Sequence, residues 1–164
     1  MRRVVTGVGP DGRSRVMSDG GAPVAFGSGG TGAFGSAPIP GDTTASGPNS
    51  SVVHELWSLG ADPSVTVEDP TSALESFVVD IAPGATKWII TEMGPGTFGA
   101  MHSTPTIDYG LVVRGDIELG LEDGSVHLFA GDAVVMNGVR HSWLAGPEGC
   151  VIATVLVGLR SAER

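Results

Sequence analysis

The chain has 164 residues, including 26 glycines and 11 prolines, and carries a formal net charge of −9. Glycine and proline disfavour helix interiors, so the composition argues against a large helical bundle, and the length fits a single domain. The acidic balance and the lack of a basic cluster argue against nucleic acid or an anionic membrane surface as partners.

Nothing in the sequence indicates export or membrane insertion. No apolar run approaches the roughly 18 residues that a membrane-spanning helix needs. Two arginines follow Met1, but no long apolar stretch follows them, so the start does not resemble a signal peptide. The single cysteine, Cys150, lies in an apolar run and is expected to be a buried small hydrophobe. The predicted localisation is cytoplasmic.

Residues 1–51 are predicted to form an N-terminal arm, followed by a β-barrel domain over residues 52–164. Short β-like pieces occur at Arg2–Thr6 and Arg15–Ser18, joined by a Gly-Pro-Asp-Gly turn. Residues 27–51 are small and polar, and they lack the apolar surface that would offset their ordering entropy. They are therefore expected to form a long loop.

Residues 52–160 alternate apolar and polar side chains in short runs that turn signals interrupt. Turn signals about every 8–12 residues are typical of a sandwich or barrel of antiparallel strands, which predicts an all-β fold. A Ser-x-x-Glu capping box predicts one short helical turn at Asp69–Glu75. The predicted strands are Val52–Ser58, Ser76–Ile81, Lys87–Met93, Ile107–Arg114, Ile117–Glu122, Val126–Phe129, Ala133–Met136, His141–Ala145 and Val151–Leu159.

Two short histidine-bearing motifs follow one another in this region. The first motif consists of a histidine, an acidic residue and a glycine, in that order. The second motif consists of two glycines followed by a histidine. The matching positions are His102, Asp108, Gly115, Gly131, Gly138 and His141. In order and register these motifs resemble those of the cupin superfamily, which implies a jelly-roll β-barrel.

The resemblance also implies a metal site, but this sequence departs from the family pattern. A full cupin site offers three histidines and one glutamate to a divalent metal. Here Thr104 replaces the second histidine, and Asp108 replaces the glutamate. The remaining His102, Asp108 and His141 are either a 2-His-1-carboxylate set for Fe, Zn, Mn or Ni, or a weak or absent metal site.

Four further residues are candidate substrate-binding residues: Thr104, Tyr109, Arg140 and Trp143. Strand alternation puts Thr104 on the same face as His102 and Asp108, because side chains repeat every two residues. Alternation would direct Tyr109 and Trp143 to the other face. Arg140 is either a site for a substrate carboxylate or a surface residue. Two other histidines, at positions 54 and 127, lie outside the motifs and are interpreted as structural.

Three functions remain open at this point. The first is an acid–base enzyme that cyclises, dehydrates, isomerises or decarboxylates a polyketide-like compound or small organic acid. In it, His102 and His141 would act as general acid and base, and Asp108 would orient one imidazole. The second is a non-haem iron or other divalent-metal oxygenase using the same residues, and the third is a non-catalytic module that binds a small metabolite. The resemblance also implies a homodimer.

Overall fold

The computed structural model of the chain describes residues 1–28, 37–45, 47–64 and 68–160. These ranges contain strands and turns but no helix, so the predicted all-β fold is confirmed, and no helix in them is suited to crossing a membrane. The strands are β1 (Arg3–Val8), β2 (Ser14–Gly20), β3 (Val24–Ser28), β4 (Ile39–Pro40), β5 (Ser51–Leu59), β6 (Thr86–Met93), β7 (Phe98–His102), β8 (Thr106–Leu121), β9 (Gly124–Phe129), β10 (Ala133–Asn137) and β11 (His141–Gly158).

The described strands form a small hairpin and one large antiparallel sheet. β1 and β2 make the hairpin, and the large sheet has the order β10-β8-β11-β6-β5-β3-β4, with β7 on β11 and β9 on β8. β8 and β11 pair along most of their length. β8 bends at Gly115, which has a positive φ, and bulges interrupt the pairing of β11 with β8 between Ala145 and Ile152.

The main hydrophobic core draws its members from β6, β8, β9, β10 and β11. Its buried members are Met93, Val112, Ile117, Leu119, Leu128, Met136, Ala145, Cys150 and Ile152. Cys150 is buried as expected, and this burial raises the pKa of its thiol to about 11. The thiol therefore stays protonated at neutral pH and packs as an apolar group.

The bends in β8 and β11 correct two predictions of the sequence. Turn signals at Arg114–Asp116 and at residues 146–149 predicted four separate strands, whereas the structure has two continuous ones. Gly115 has a φ of 72°, and a Cβ atom there would lie 2.0 Å from the carbonyl oxygen of Gly149. The two bends meet where only glycine fits, so the strands turn together without separating. The sequence also missed β7.

The predicted strand Ser76–Ile81 is wrong, because this segment has no ladder partner. Its apolar side chains, including those of Phe77 and Val79, pack against a second buried cluster. The Lys87 ammonium donates a hydrogen bond to the Val78 carbonyl at 2.7 Å. Packing alone therefore accounts for the apolar alternation that suggested a strand.

The predicted loop over residues 27–51 is also partly wrong. Ile39–Pro40 and Ser51 lie in strands, and β3 extends to Ser28. β3 pairs with β5, so part of the predicted arm extends the large sheet. Residues 29–36 and 46 lie outside the described residues, and the division of the chain at residue 51 stays a prediction.

The predicted helical turn at Asp69–Glu75 is a hydrogen-bonded turn and not a helix. The Asp69 carboxylate accepts hydrogen bonds from the Thr71 amide at 2.9 Å and the Thr71 hydroxyl at 2.6 Å. It also accepts hydrogen bonds from the Arg3 guanidinium, which in turn donates to the Leu56 carbonyl at 3.0 Å. These hydrogen bonds connect the hairpin to the rest of the chain. We call the contacts among Arg3, Leu56, Asp69 and Thr71 the clasp.

The clasp predicts a pH-dependent contribution to stability. Burial opposes ionisation of Asp69, but hydrogen bonds from Arg3 and Thr71 outweigh it and hold the pKa of this carboxyl below its usual value. A group with a lowered folded-state pKa stabilises the fold above its unfolded pKa of about 3.9, and this contribution is lost as pH falls. Asp69→Asn should therefore lower the free energy of unfolding in urea at pH 7 by about 1–3 kcal/mol.

Asp19→Asn is the matched control, because Asp19 pairs with Arg2 at 2.7 Å on the exposed side of the same hairpin. Solvent-exposed pairs contribute little, so this variant should be close to the wild-type protein. The Asp69→Asn difference should also shrink below about pH 4. Equal losses in both variants at pH 7 would contradict the role given to the clasp.

Candidate active site

The structure brings the two motif histidines together. His102 in β7 and His141 in β11 are directly opposite residues of an antiparallel ladder. Their ring centroids are 4.4 Å apart, and the ring planes are inclined by 54°. Residues that are far apart in sequence therefore form one imidazole pair, and strand pairing sets its geometry.

Backbone carbonyls determine the tautomer of both rings. The Nδ1 of His102 lies 2.8 Å from the Ala100 carbonyl oxygen, and the Nδ1 of His141 lies 3.0 Å from that of Val139. A carbonyl oxygen only accepts, so each Nδ1 carries the proton and donates it. In the neutral form, each Nε2 therefore presents a lone pair.

The two histidines differ in their exposure to solvent. His141 is buried, whereas His102 is exposed. Burial lowers the pKa of His141, although the hydrogen bond to Val139 works against this shift. His141 therefore stays a neutral imidazole down to a lower pH than a free histidine, as a proton acceptor at neutral pH requires.

Asp108 of β8 lies on the buried side of the sheet near both rings. Burial raises the pKa of its carboxyl, while a hydrogen bond from Thr106 and the nearby histidines oppose the rise. Its Oδ1 has no hydrogen-bond partner among the described residues. The hydroxyls of Thr104 and Thr106 are 2.7 Å apart, so a short chain of polar groups leads to the carboxyl. Sequence reasoning missed Thr106, although a Thr-x-Thr-x-Asp pattern on one strand face signals it.

The other predicted substrate-binding residues lie in different places. Trp143 lies beside His141, with ring centroids 5.4 Å apart and an edge-on geometry, so the prediction that it faces away is wrong. The two residues are two apart in β11 and share a side of it. Tyr109 is on the outer face of β8 and is half-exposed. Arg140 is also exposed and donates to Glu122 at 3.0 Å.

The two remaining histidines are separate from this pair. His54 is buried in β5, with its Nε2 3.5 Å from Glu92. The Nε2 of His127 is 2.6 Å from Asp116, and its ring stacks on Phe129. His127 thus has a hydrogen-bond partner, whereas neither ring nitrogen of His54 has one among the described residues, and the structural interpretation of both stays a prediction.

The three residues that the resemblance implies as metal ligands do not fit a metal centre. Throughout residues 1–28, 37–45, 47–64 and 68–160, no group of three His, Cys, Asp or Glu side chains has a geometry that would hold a metal ion. The arrangement instead offers two imidazoles and a buried carboxyl for proton transfer.

The burial of Asp108 predicts that this residue costs stability. A carboxyl whose folded-state pKa is raised destabilises the fold at a pH above that pKa, and the cost disappears at acidic pH. Asp108→Asn should therefore increase the free energy of unfolding at pH 7, within the roughly 0.5–3 kcal/mol range of single substitutions. Urea unfolding at pH 7 and at about pH 3, below the usual carboxyl pKa, measures this difference.

Asp123→Asn provides the control, because Asp123 is exposed in the turn between β8 and β9. Asn-Gly serves this turn as well as Asp-Gly does, so little change is expected. A lower free energy of unfolding for Asp108→Asn at pH 7 would contradict this prediction, because the carboxylate would then stabilise the fold.

Comparisons with curated proteins show short similarities to fungal biosynthetic proteins. No known family profile matches the chain. The chain is 39% identical over 62 residues to phomopsin biosynthesis cluster protein C' of Diaporthe leptostromiformis, covering 37% of this chain and 33% of that protein. It is 36% identical over 62 residues to oryzines biosynthesis cluster protein J of Aspergillus oryzae, covering 37% of this chain and 35% of that protein. The chain thus spans about a third of the length of these relatives.

A third relative is a cupin-domain-containing oxidoreductase of Neurospora crassa, 37% identical over 54 residues, covering 32% of this chain and 28% of that protein. Among solved structures, a cupin-2 domain protein from Shewanella frigidimarina gives a TM-score of 0.39 at 22% identity, covering 43% of this chain and 68% of the other. KdgF from Halomonas gives a TM-score of 0.39 at 27% identity, and the alignment again covers 43% of this chain and 68% of the other. The name of the Neurospora relative means that a short stretch of this chain is similar to a protein with a cupin domain, in line with the predicted resemblance.

Proposed function

We propose that the chain is an acid–base enzyme acting on a small organic acid or polyketide-like carbonyl compound. The observation that carries this proposal is the pair of adjacent imidazoles with two Nε2 lone pairs and a buried carboxyl nearby. An imidazole both takes and gives protons near neutral pH. A biosynthetic setting is supported by two relatives that are named as biosynthesis cluster proteins.

In this proposal the two histidines have different roles. His141 is buried and held neutral, so its Nε2 removes a proton from a carbon next to a carbonyl group. The hydrogen bond from its Nδ1 to Val139 fixes the ring and stabilises the imidazolium that forms. His102 is exposed, takes up a proton from solvent at Nε2, and in this imidazolium form delivers that proton to a leaving group or to the product. Asp108 stabilises the positive charge on either ring.

Two of the predicted substrate-binding residues lie where they can contact a bound substrate. Trp143 contacts the His141 ring by its edge and offers an apolar wall. Thr104 offers a hydroxyl at the end of the polar chain that leads to Asp108. Tyr109 and Arg140 lie away from the imidazole pair, and we assign them no role in substrate binding.

The proposed reactions share one step that can be assayed before the product is known. Cyclisation, dehydration, isomerisation and decarboxylation next to a carbonyl pass through gain or loss of a proton at the neighbouring carbon. A panel of keto acids and β-dicarbonyl compounds can be incubated with the protein in D₂O. Loss of the carbon-bound proton signal in NMR spectra then reports proton transfer. We expect exchange with at least one compound class.

His102→Gln and His141→Gln should each slow this exchange by roughly 10²- to 10⁴-fold, the contribution of general acid–base catalysis. Glutamine approximates the volume and hydrogen bonding of histidine, so the free energy of unfolding should change by no more than about 2 kcal/mol. His127→Gln and His54→Gln are the matched controls and should retain the exchange rate. Equal rates in all four variants would overturn the proposal.

A metal-dependent redox function is the second candidate, because one relative is named an oxidoreductase. Among the described residues, no group of three His, Cys, Asp or Glu side chains is arranged to hold a metal ion. We therefore expect elemental analysis of purified protein to find less than one divalent metal ion per chain. One iron or zinc ion per chain that survives dialysis against a chelator would overturn the acid–base proposal.

The third candidate is a module that binds a small metabolite without chemistry. It has the same residues but predicts a different result in the D₂O experiment. Ligand-dependent shifts of the His102 and His141 ring signals without any proton exchange would identify this function. Ring shifts that accompany exchange support the enzyme.

A further inference from the structure

A cleft lies where β5 ends and β6 begins, beside the segment of residues 70–78, which has no ladder partner. It has a volume of about 610 Å³. Its most buried lining residues are Glu55 and Lys87, and its walls are mostly apolar. The wall residues include Leu59, Pro70, Ala73, Leu74 and Val78. We call this cavity the lysine cleft, because it holds the single lysine of the chain.

Glu55 and Lys87 form a buried ion pair in this cleft. Only 1% of the Glu55 side chain and 9% of the Lys87 side chain are exposed, and Nζ of Lys87 lies 2.9 Å from Oε2 of Glu55. The ammonium also donates to the Val78 carbonyl at 2.7 Å and lies 5.0 Å from the centre of the Phe77 ring. A buried ion pair contributes little net stability, because taking both charges out of water costs about as much as their attraction returns. The fold alone therefore does not account for a charged pair in a mostly apolar cleft.

The pair retains hydrogen-bonding capacity that the described residues do not use. Oε2 of Glu55 is buried, and its contact with Lys87 lacks the alignment of a hydrogen bond, so this oxygen accepts none from the described residues. A lysine ammonium has three N–H donors, whereas that of Lys87 has two oxygen neighbours in the same part of the chain. Leaving a buried carboxylate oxygen without a donor is costly, which points to a donor that arrives with a ligand.

We propose that the lysine cleft binds an uncharged molecule that has an apolar body and a hydroxyl group. A hydroxyl both donates and accepts hydrogen bonds, so one such group donates to Oε2 of Glu55 and accepts from Nζ of Lys87. The apolar body packs against the cleft walls, where the side chains of Leu59, Leu74 and Val78 offer no polar group. A volume of this size is within the range of small-molecule sites.

The charges of the cleft disfavour ionised ligands. An anion that approaches Lys87 also meets the carboxylates of Glu55 and Glu75, and a cation that approaches Glu55 meets the Lys87 ammonium. An ionised ligand would also lose its hydration against the apolar walls. None of the residues that line the cleft belongs to the imidazole pair or is one of its neighbours Asp108 and Trp143, so this site does not depend on the proposed function.

The test uses three probes that share a six-carbon chain and differ in their head group: 1-hexanol, hexanoate and hexylammonium. Each is titrated at neutral pH into protein with ¹³C-labelled leucine and valine methyl groups and ¹⁵N-labelled lysine, followed by NMR. We expect 1-hexanol to shift the methyl signals of Leu59, Leu74 and Val78 and the single ammonium signal, which belongs to Lys87. The two charged probes should bind at least about tenfold more weakly, because each brings an unpaired charge into the cleft.

Three variants locate the binding. Ala73→Trp places a large side chain in the cleft wall and should weaken 1-hexanol binding by roughly tenfold or more, whereas Ala133→Trp, at an exposed position of β10 outside the cleft, should bind like the wild-type protein. The double variant Glu55→Leu/Lys87→Met removes both charges together, so neither is left buried alone. It should lose roughly tenfold in affinity for 1-hexanol, because the hydroxyl loses its two partners.

The dispersion of the methyl signals shows whether each variant is folded, and Ala73→Trp decides the matter if the double variant is not. The proposal is overturned if 1-hexanol leaves the cleft signals in place, or if either charged probe binds as tightly as 1-hexanol. Equal binding of 1-hexanol by Ala73→Trp and Ala133→Trp also overturns it, because the probe would then occupy a different part of the protein.

Discussion

The site depends on one strand, β11, pairing with three neighbours at the same time. Its first residue pairs with the end of β7, which sets His141 against His102. Its remaining length pairs with β8 and β6, and this pairing places Asp108 opposite Leu156. A shift of β11 by one residue would turn His141 and the apolar core residues of that strand to the opposite face. The packing of the core therefore also fixes the geometry of the imidazole pair.

The same constraint explains the electrostatics of the site. Inward-facing polar groups are few, and those near the core lose contact with water, so burial lowers the pKa of His141 and raises that of Asp108. Both shifts favour neutral forms, and backbone carbonyls then select which nitrogen of each ring keeps its proton. Proton transfer needs groups of this kind, which accept or release a proton near neutral pH. The outer face of the same strands has the opposite character, with apolar side chains in water.

Much of the fold and of the site was predictable because period-two alternation and motif spacing are local signals. Most strands of the second half follow from alternation, whereas the resemblance to the cupin motifs implied the grouping of His102, Asp108 and His141. The bends at Gly115 and residues 146–149 were read as turns, because a glycine that permits two strands to approach closely has the same local sequence as a glycine in a turn. β7 was missed since Phe-Gly-Ala-Met-His contains no β-branched residue. Trp143 was misplaced although it lies two residues after His141, so the period-two alternation itself puts both side chains on one side of β11.

The central claim is that two adjacent imidazoles present Nε2 lone pairs because backbone carbonyls hold their Nδ1 protons. Two-bond ¹⁵N–¹H correlation spectra of the histidine rings at neutral pH test it most directly, because they distinguish the two neutral tautomers. The account predicts the Nδ1–H tautomer for both His102 and His141, with the buried His141 remaining neutral to a lower pH than a free histidine. Finding the Nε2–H tautomer in either ring of the pair, or a His141 that is protonated at neutral pH, would contradict it.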